Sequence, residues 1–167
     1  MQFRLTTVTL EDVPALVALH NSVSAHLTSQ FGQGPWSSQV TERGILFGMR
    51  TSVIYIARSS QQIIATLRLQ TRKPWAIDKK YFSPASQKPL YLTGMAVHPF
   101  EQRKGVGRRC LEEAQRLARL WPADALRLDA WDADAGAGDF YRKCGFQEVG
   151  RASYRGNPHI YFELLLP

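Results

Sequence analysis

The stretch "LYLTGMAVHPFEQRKGVGRRCLEEAQRLARLWP", residues 90–122, constrains the fold more than any other part of the chain. It opens with a β-rich run holding one glycine, Gly94, which predicts a strand with a bulge or a close approach at that point. The apolar spacing Cys110, Leu111, Ala114, Leu117, Ala118, Trp121 then predicts an amphipathic helix that stops at Pro122. Between strand and helix lie Gly105 and Gly107 among Arg103, Lys104, Arg108 and Arg109. The first backbone N–H groups of a helix have no intrahelical acceptor and point together along the positive end of the dipole. With glycines that let another group come near and cations around them, such a junction is an anion cradle. It lacks the Gly-Lys-Ser/Thr of a P-loop and has only Gly105-x-Gly107 of the dinucleotide G-x-G-x-x-G pattern.

The rest of the chain reads as alternating short elements. "QFRLTTV" has strand alternation, and Thr9 with Asp12 forms a capping box that opens a helix through about His26. Val13, Leu16, Val17, His20, Val23 and Leu27 give that helix one buried stripe, on which His20 reads as a core histidine. A Gly- and Pro-rich loop with Trp36 precedes a second helix over about Val40 to Met49. "SVIYIARSSQQIIATLRLQ" is a hairpin, and residues 72–90 form a long connection carrying Trp75, Tyr81 and Phe82. "ALRLDAW" is a strand, "GDFYRKC" a short helix closed by Gly145, and the tail two strands around a Gly-Asn-Pro turn. The expected order is βααββ followed by βαβαββ.

Charge narrows the ligand. The net charge is +7, yet residues 72–109 alone hold nine basic and two acidic side chains, so this segment carries the excess. A polyanion, either a phosphorylated cofactor or nucleic acid, is the expected partner. Single-strand binders spread cations and aromatics over a face, whereas here the charge converges on one helix start, which disfavours nucleic acid. At 167 residues and 18.9 kDa one domain over 1–167 is expected. No apolar run reaches the roughly 20 residues of a membrane span, no secretory layout opens the chain, and Cys110 and Cys144 stand at no metal-ligand spacing. A cytoplasmic protein without a metal is expected.

The run Gln102-Arg103-Lys104-Gly105-Val106-Gly107 resembles the Gln/Arg-x-x-Gly-x-Gly/Ala signature of the GNAT superfamily of acyl-CoA-dependent N-acyltransferases. Downstream, Asp134, Ala137, Tyr141, Gly145 and Phe146 resemble its second motif, Asn-x-x-Ala-x-x-x-Tyr-x-x-x-Gly-Phe, with Asp134 in place of the usual Asn. The resemblance implies a mixed α/β fold: a mostly antiparallel sheet of six to seven strands, about four helices, and two splayed parallel strands, here 91–97 and 126–131. It implies acetyl-CoA as acyl donor, with backbone groups of Met95, Ala96 and Val97 on pantetheine and residues 102–108, including Arg108, on the pyrophosphate. Asp134 and Ala137 complete the expected cofactor set. Tyr141 is the implied acid for the departing thiolate, and the acceptor is an amine of a small molecule or protein.

Tyr91 and Thr93 occupy positions where relatives place a base, and neither is one near neutral pH. A water chain ending on Asp129 or Asp132 is the alternative, with His98, His159 and Glu163 as further candidates. Trp75, Tyr91, Thr93, Asp129 and Asp132 form the expected acceptor-binding set, in which the acids of 129–139 attract a cationic amine. Homodimerisation, through the C-terminal strands, is left open by the resemblance.

Overall fold

The computed structural model describes residues 3–167. Its elements are β1 (Thr6–Thr7), α1 (Val13–Phe31), α2 (Glu42–Thr51), β2 (Val53–Ser59), β3 (Gln62–Gln70), β4 (Pro89–Val97), α3 (Val106–Leu120), β5 (Ala125–Trp131), α4 (Gly138–Lys143), β6 (Gln147–Tyr154) and β7 (Asn157–Leu165). Seven strands follow the order β1-β2-β3-β4-β5-β7-β6. All pairings described are antiparallel except β4 with β5, whose parallel ladder joins Pro89–Ala125, Leu90–Leu126 and Tyr91–Arg127. The fold is the expected mixed α/β one, in the expected element order.

The chain divides into two compact units, one holding the residues through Leu69 together with Gly94–Ala114, the other Gln70–Thr93 with Gln115–Pro167. In the first, the Thr9 N–H and hydroxyl both donate to the Asp12 carboxylate, at 2.9 and 3.1 Å, which supplies the carboxylate half of the expected capping box at the single turn Leu10–Asp12 that leads into α1. That helix runs five residues beyond the expected His26, to Phe31, and ends where Gly32 turns to φ 77°. Leu16 and Leu19 of α1 and Ile45 of α2 pack with Ile54, Ile56 and Ile63 of the β2–β3 hairpin in one apolar cluster. The strand expected at "QFRLTTV" shortens to Thr6–Thr7, and its first residue, Gln2, lies outside the described residues. Cys110 is fully buried in α3, and burial, with the Glu113 charge, pushes its thiol up to about 12, which makes it an inert packing residue.

In the second unit β5 and β7 pair over seven residues, and side chains opposite one another share a face. Leu126, Leu128, Ile160 and Phe162 form one face, while Arg127, Asp129, Trp131, His159, Tyr161 and Glu163 form the other. On the polar face a buried ion pair, Arg127 Nε to Glu163 Oε2 at 2.7 Å, holds the connection in place. Arg127 Nη2 donates to the Ser83 carbonyl at 3.0 Å, the Ser83 N–H donates to Glu163 Oε1 at 3.1 Å, and the guanidinium lies over the Phe82 ring. Ile77 and Phe82 then pack on Tyr91 and Tyr161, and the Tyr161 hydroxyl donates to the Ala76 carbonyl. The long connection is therefore an ordered cover rather than a solvated loop.

Two expectations need correction. The C-terminal turn is Arg155-Gly156, at φ 50° and 78°, rather than Gly-Asn-Pro, because a two-residue hairpin of this twist needs left-handed backbone that Pro158 cannot adopt. Asn157 and Pro158 instead open β7. Tyr91 is 1% exposed in the apolar cluster with Ile77, Phe82 and Tyr161, so it belongs to the packing of this unit rather than to an accessible acceptor surface.

Removing one partner of a buried ion pair leaves an uncompensated charge. Glu163→Gln is expected to destabilise the protein by about 3 kcal/mol in urea unfolding, and Arg127→Met together with Glu163→Leu to recover most of that loss. Equal instability of the single and double variants would show that the pair does not act as a unit.

Candidate functional site

The end of β4 and the start of α3 are shaped by backbone rather than by side chains. Gly94 takes a left-handed φ of 57° within β4, and Arg103 and Gly105 take φ 60° and 83° in the turns before the helix. A Cβ placed on Gly105 would meet nothing within 4 Å, so this glycine borders open space, although its φ still disfavours any other residue. The first intrahelical bond runs from the Arg109 N–H to the Gly105 carbonyl at 3.0 Å. The Val106 and Gly107 amides precede it and have no intrahelical acceptor. The Gln102 side-chain amide donates to the Val97 carbonyl at 3.1 Å and ties the junction to the strand end.

The cations at the junction divide by position. Arg103, Lys104 and Arg108 are exposed, and Lys104 pairs with Glu101 at 3.5 Å. Arg109, expected to add charge to the cradle, instead pairs along its own helix with Glu112 at 3.2 Å and Glu113 at 3.7 Å. The combination of positive-φ backbone, open space, helix amides and exposed cations fits a phosphate-bearing ligand. Met95, Ala96 and Val97 lie on the last residues of β4, immediately before it, with Thr93 half-buried ahead of them.

The second unit carries the titratable groups. Tyr141 is buried in α4, its ring 5.8 Å from Phe162 and 5.7 Å from Phe146. The helix is closed as expected, with Gly145 at φ 91° donating to the Arg142 carbonyl and the Phe146 N–H donating to that of Tyr141. Burial, followed by the nearby Asp129 charge and Cys144, raises the Tyr141 hydroxyl far above its ordinary range. It is protonated at any physiological pH and is a donor there.

On the other face of the same sheet, His159 Nδ1 and Asp129 Oδ2 lie 2.6 Å apart, so the ring N–H donates to the carboxylate. His159 is 3% exposed, with Trp131 and Tyr154 rings edge-on to it and its Nε2 sealed without a partner. Asp129 is only partly covered. Asp132, the other expected acceptor-side acid, pairs with Arg151 at 3.1 Å, and Asp139 with Arg142 at 2.7 Å. The same arginines pull Glu148 down to about 2. Asp134 and Ala137 are exposed in the loop before α4. A Cβ on Gly136 would lie 1.9 Å from the Trp131 carbonyl, which fixes that loop's path. Trp75 is 81% exposed beside a basic recess of about 400 Å³ lined by Thr71, Arg72, Lys73 and Lys79.

Among the described residues no group of three or more metal-ligating side chains gathers, and no helix is long and apolar enough to cross a membrane. Sequence reasoning did not single out the Asp129–His159 contact. Its only signal is the spacing of His159, Tyr161 and Glu163 on alternate residues of one strand.

Comparison with known proteins identifies the fold and the family. The chain is 33% identical over 70 residues to GCN5-related N-acetyltransferase 10, chloroplastic, of Arabidopsis thaliana. That match covers 42% of this chain and only 27% of the relative, about a quarter of its length. Its fold is similar to that of the ribosomal-protein-S18-alanine N-acetyltransferase of Escherichia coli, with a TM-score of 0.69 at 19% identity over 99% of this chain and 94% of that one. An N-acetyltransferase from Staphylococcus aureus gives a TM-score of 0.71 at 14% identity with both chains wholly covered. The yncA protein of Salmonella typhimurium, solved with its cofactor acetyl-CoA, gives 0.69 at 15% over 99% and 94%. The model of the acetyltransferase (GNAT) family matches residues 20–146, well over half of the sequence, and the chain belongs to that family.

Proposed function

We propose that the whole chain works as one catalytic domain that transfers acetyl from acetyl-CoA to a primary amine. The observation that carries the reading is the junction at residues 103–107, where left-handed backbone, open space and unsatisfied helix amides meet exposed cations. Gln102, Arg103, Lys104, Gly105, Val106, Gly107 and Arg108 would hold the pyrophosphate, with backbone groups of Met95, Ala96 and Val97 on the pantetheine amides. Asp134 and Ala137 would border the cofactor from the loop before α4. When bound, acetyl-CoA supplies a thioester whose acyl carbon accepts the amine.

The chain's own residues handle two protons. An amine attacks only when neutral, so a base must take its proton, and the thiolate leaves more readily when protonated. Tyr141 is a protonated hydroxyl held rigid by Phe146 and Phe162, and it serves as the acid. Asp129 serves as the base, through water. His159 orients its carboxylate, whereas the carboxylate of Asp132 is engaged by Arg151. Asp129 lies near enough to Tyr141 for its charge to bear on the hydroxyl, so the two groups can serve atoms bonded to one acyl carbon, Asp129 through water. Asp129 and its half-buried neighbour Trp131 also offer a carboxylate and an aromatic face to a cationic amine before it is deprotonated.

Two measurements test this. Calorimetry should show acetyl-CoA binding to the wild type and none to Gly105→Glu, which places bulk and negative charge in the cradle; binding that survives the substitution removes the cradle from the site. With an amine found to be acetylated, Tyr141→Phe should lower kcat roughly 100-fold while acetyl-CoA affinity stays unchanged, and Asp129→Asn should do the same. A Tyr141→Phe enzyme with wild-type kcat would leave the thiolate without its proposed acid.

A further inference from the structure

Among the described residues, one half-buried cation of the first unit has no counter-ion. Arg68 pairs opposite Ile54 across the β2–β3 hairpin, on the sheet face where Ile54 packs with α1 and α2. It is half-buried, its Nε is sealed from solvent, and among the described residues no carboxylate or other acceptor is bonded to it. Two glycines make room for it. A Cβ on Gly48 of α2 would lie 2.6 Å from Nη1, and a Cβ on Gly94 of β4 would lie 3.2 Å from Nε. Burial lowers the Arg68 pKa, yet a guanidinium remains charged at neutral pH. His20 of α1 feels that charge: burial first, and Arg68 second, lower it to about 4, so at neutral pH it adds no charge of its own.

A half-buried cation with a sealed Nε and no anion carries a desolvation cost, and apolar replacement would relieve it. Its presence here asks for an anion that arrives with a ligand. Gly94, against which Nε lies, directly precedes the Met95–Val97 run. The site therefore borders the backbone that our reading of the function assigns to the acetyl donor, and the inference rests on that reading. The acetyl group has no charge, so an anion at this point belongs to the acceptor. We propose that Arg68 is the receptor for a carboxylate on the acceptor, and that the acceptor class is an amine bearing a carboxylate, such as an amino acid. The guanidinium fork matches a carboxylate in one plane and fixes the adjacent amine relative to the strand end. The glycines at 48 and 94 are the positions where a larger side chain would take the fork's place.

The test compares the intact wild-type protein with Arg68→Met and Arg68→Lys. Without ligand, Arg68→Met should melt at the wild-type temperature or a few degrees above it; a clear fall would show that Arg68 makes structural contacts instead. Acetylation is then measured on L-amino acids beside the amines formed by their decarboxylation, for example phenylalanine against phenethylamine. Wild type should favour the carboxylate-bearing partner at least 10-fold in kcat/KM. Arg68→Met should erase the preference with acetyl-CoA affinity unchanged, and Arg68→Lys should retain part of it. No preference in the wild type, or one that survives in Arg68→Met, overturns the proposal. Faster transfer from succinyl-CoA than from acetyl-CoA would assign the carboxylate to the donor and overturn the acceptor assignment.

A binding readout separates this site from the transfer reaction. In NMR with unreactive CoA present and again without it, the preferred amino acid should move the His20 ring resonances in wild type and leave them unmoved in Arg68→Met. Unmoved resonances in the wild type under both conditions overturn the anion site. Movement in a protein that neither binds CoA nor transfers acetyl would keep the site and sink the transferase reading.

Discussion

The one parallel pairing in an otherwise antiparallel sheet sets the plan of this protein. Two antiparallel strands can be joined by a tight turn, as β2 is to β3 and β6 to β7, but β4 and β5 run the same way and need a crossover. That crossover is α3, and its first turn follows the end of β4 after a short junction. The positive end of a helix dipole and its unsatisfied amides are thereby delivered to the carboxyl end of a strand, which is where open α/β arrangements take their ligands. The basic junction at 102–108 follows from that topology. Its sequence supplies the left-handed backbone and the cations that such a place can use.

The second constraint is the division of the β5–β7 sheet into an apolar and a polar face. Alternation places Leu126, Leu128 and Phe162 under α4, and Arg127, Asp129, His159 and Glu163 on the other side. Arg127 and Glu163 are used up in holding the connection at Ser83. Two strand positions further along, Asp129 has a different fate: His159 holds it, yet it is not sealed. The same structural device, a carboxylate bonded to a cation or a ring N–H on one face, gives a buried clamp at one level of the sheet and a partly exposed carboxylate at the next.

Much of the fold could be read from the sequence because local chemistry agreed with the final structure. The Thr9–Asp12 box, the 3.6-residue stripe of α1, the apolar spacing of α3 and the Gly145 cap each fixed an element. The junction at 102–107 was legible for the same reason, since its glycines and cations are contiguous. What was hidden depended on cross-strand neighbours. Arg68 looks like an ordinary outward residue in "IIATLRLQ" until its register opposite Ile54 turns it toward α1 and α2. His159 and Asp129 are 30 residues apart and meet only through the diagonal of the β5–β7 ladder. Tyr91 offered a hydroxyl in the sequence and proved to be core, because the connection at Ile77 and Phe82 folds over it. The C-terminal turn moved because Arg155 accepts a left-handed conformation that sequence propensity assigns to glycine and asparagine.

The central claim is that acetyl-CoA lies along the end of β4 and the start of α3. Backbone amide NMR of the ¹⁵N-labelled protein titrated with acetyl-CoA tests it residue by residue. The account predicts that the largest shifts fall on Met95 to Val97 and on Gly105 to Gly107, with the basic recess at Arg72, Lys73 and Lys79 unmoved. Shifts confined to that recess, or none at saturating acetyl-CoA, would contradict it.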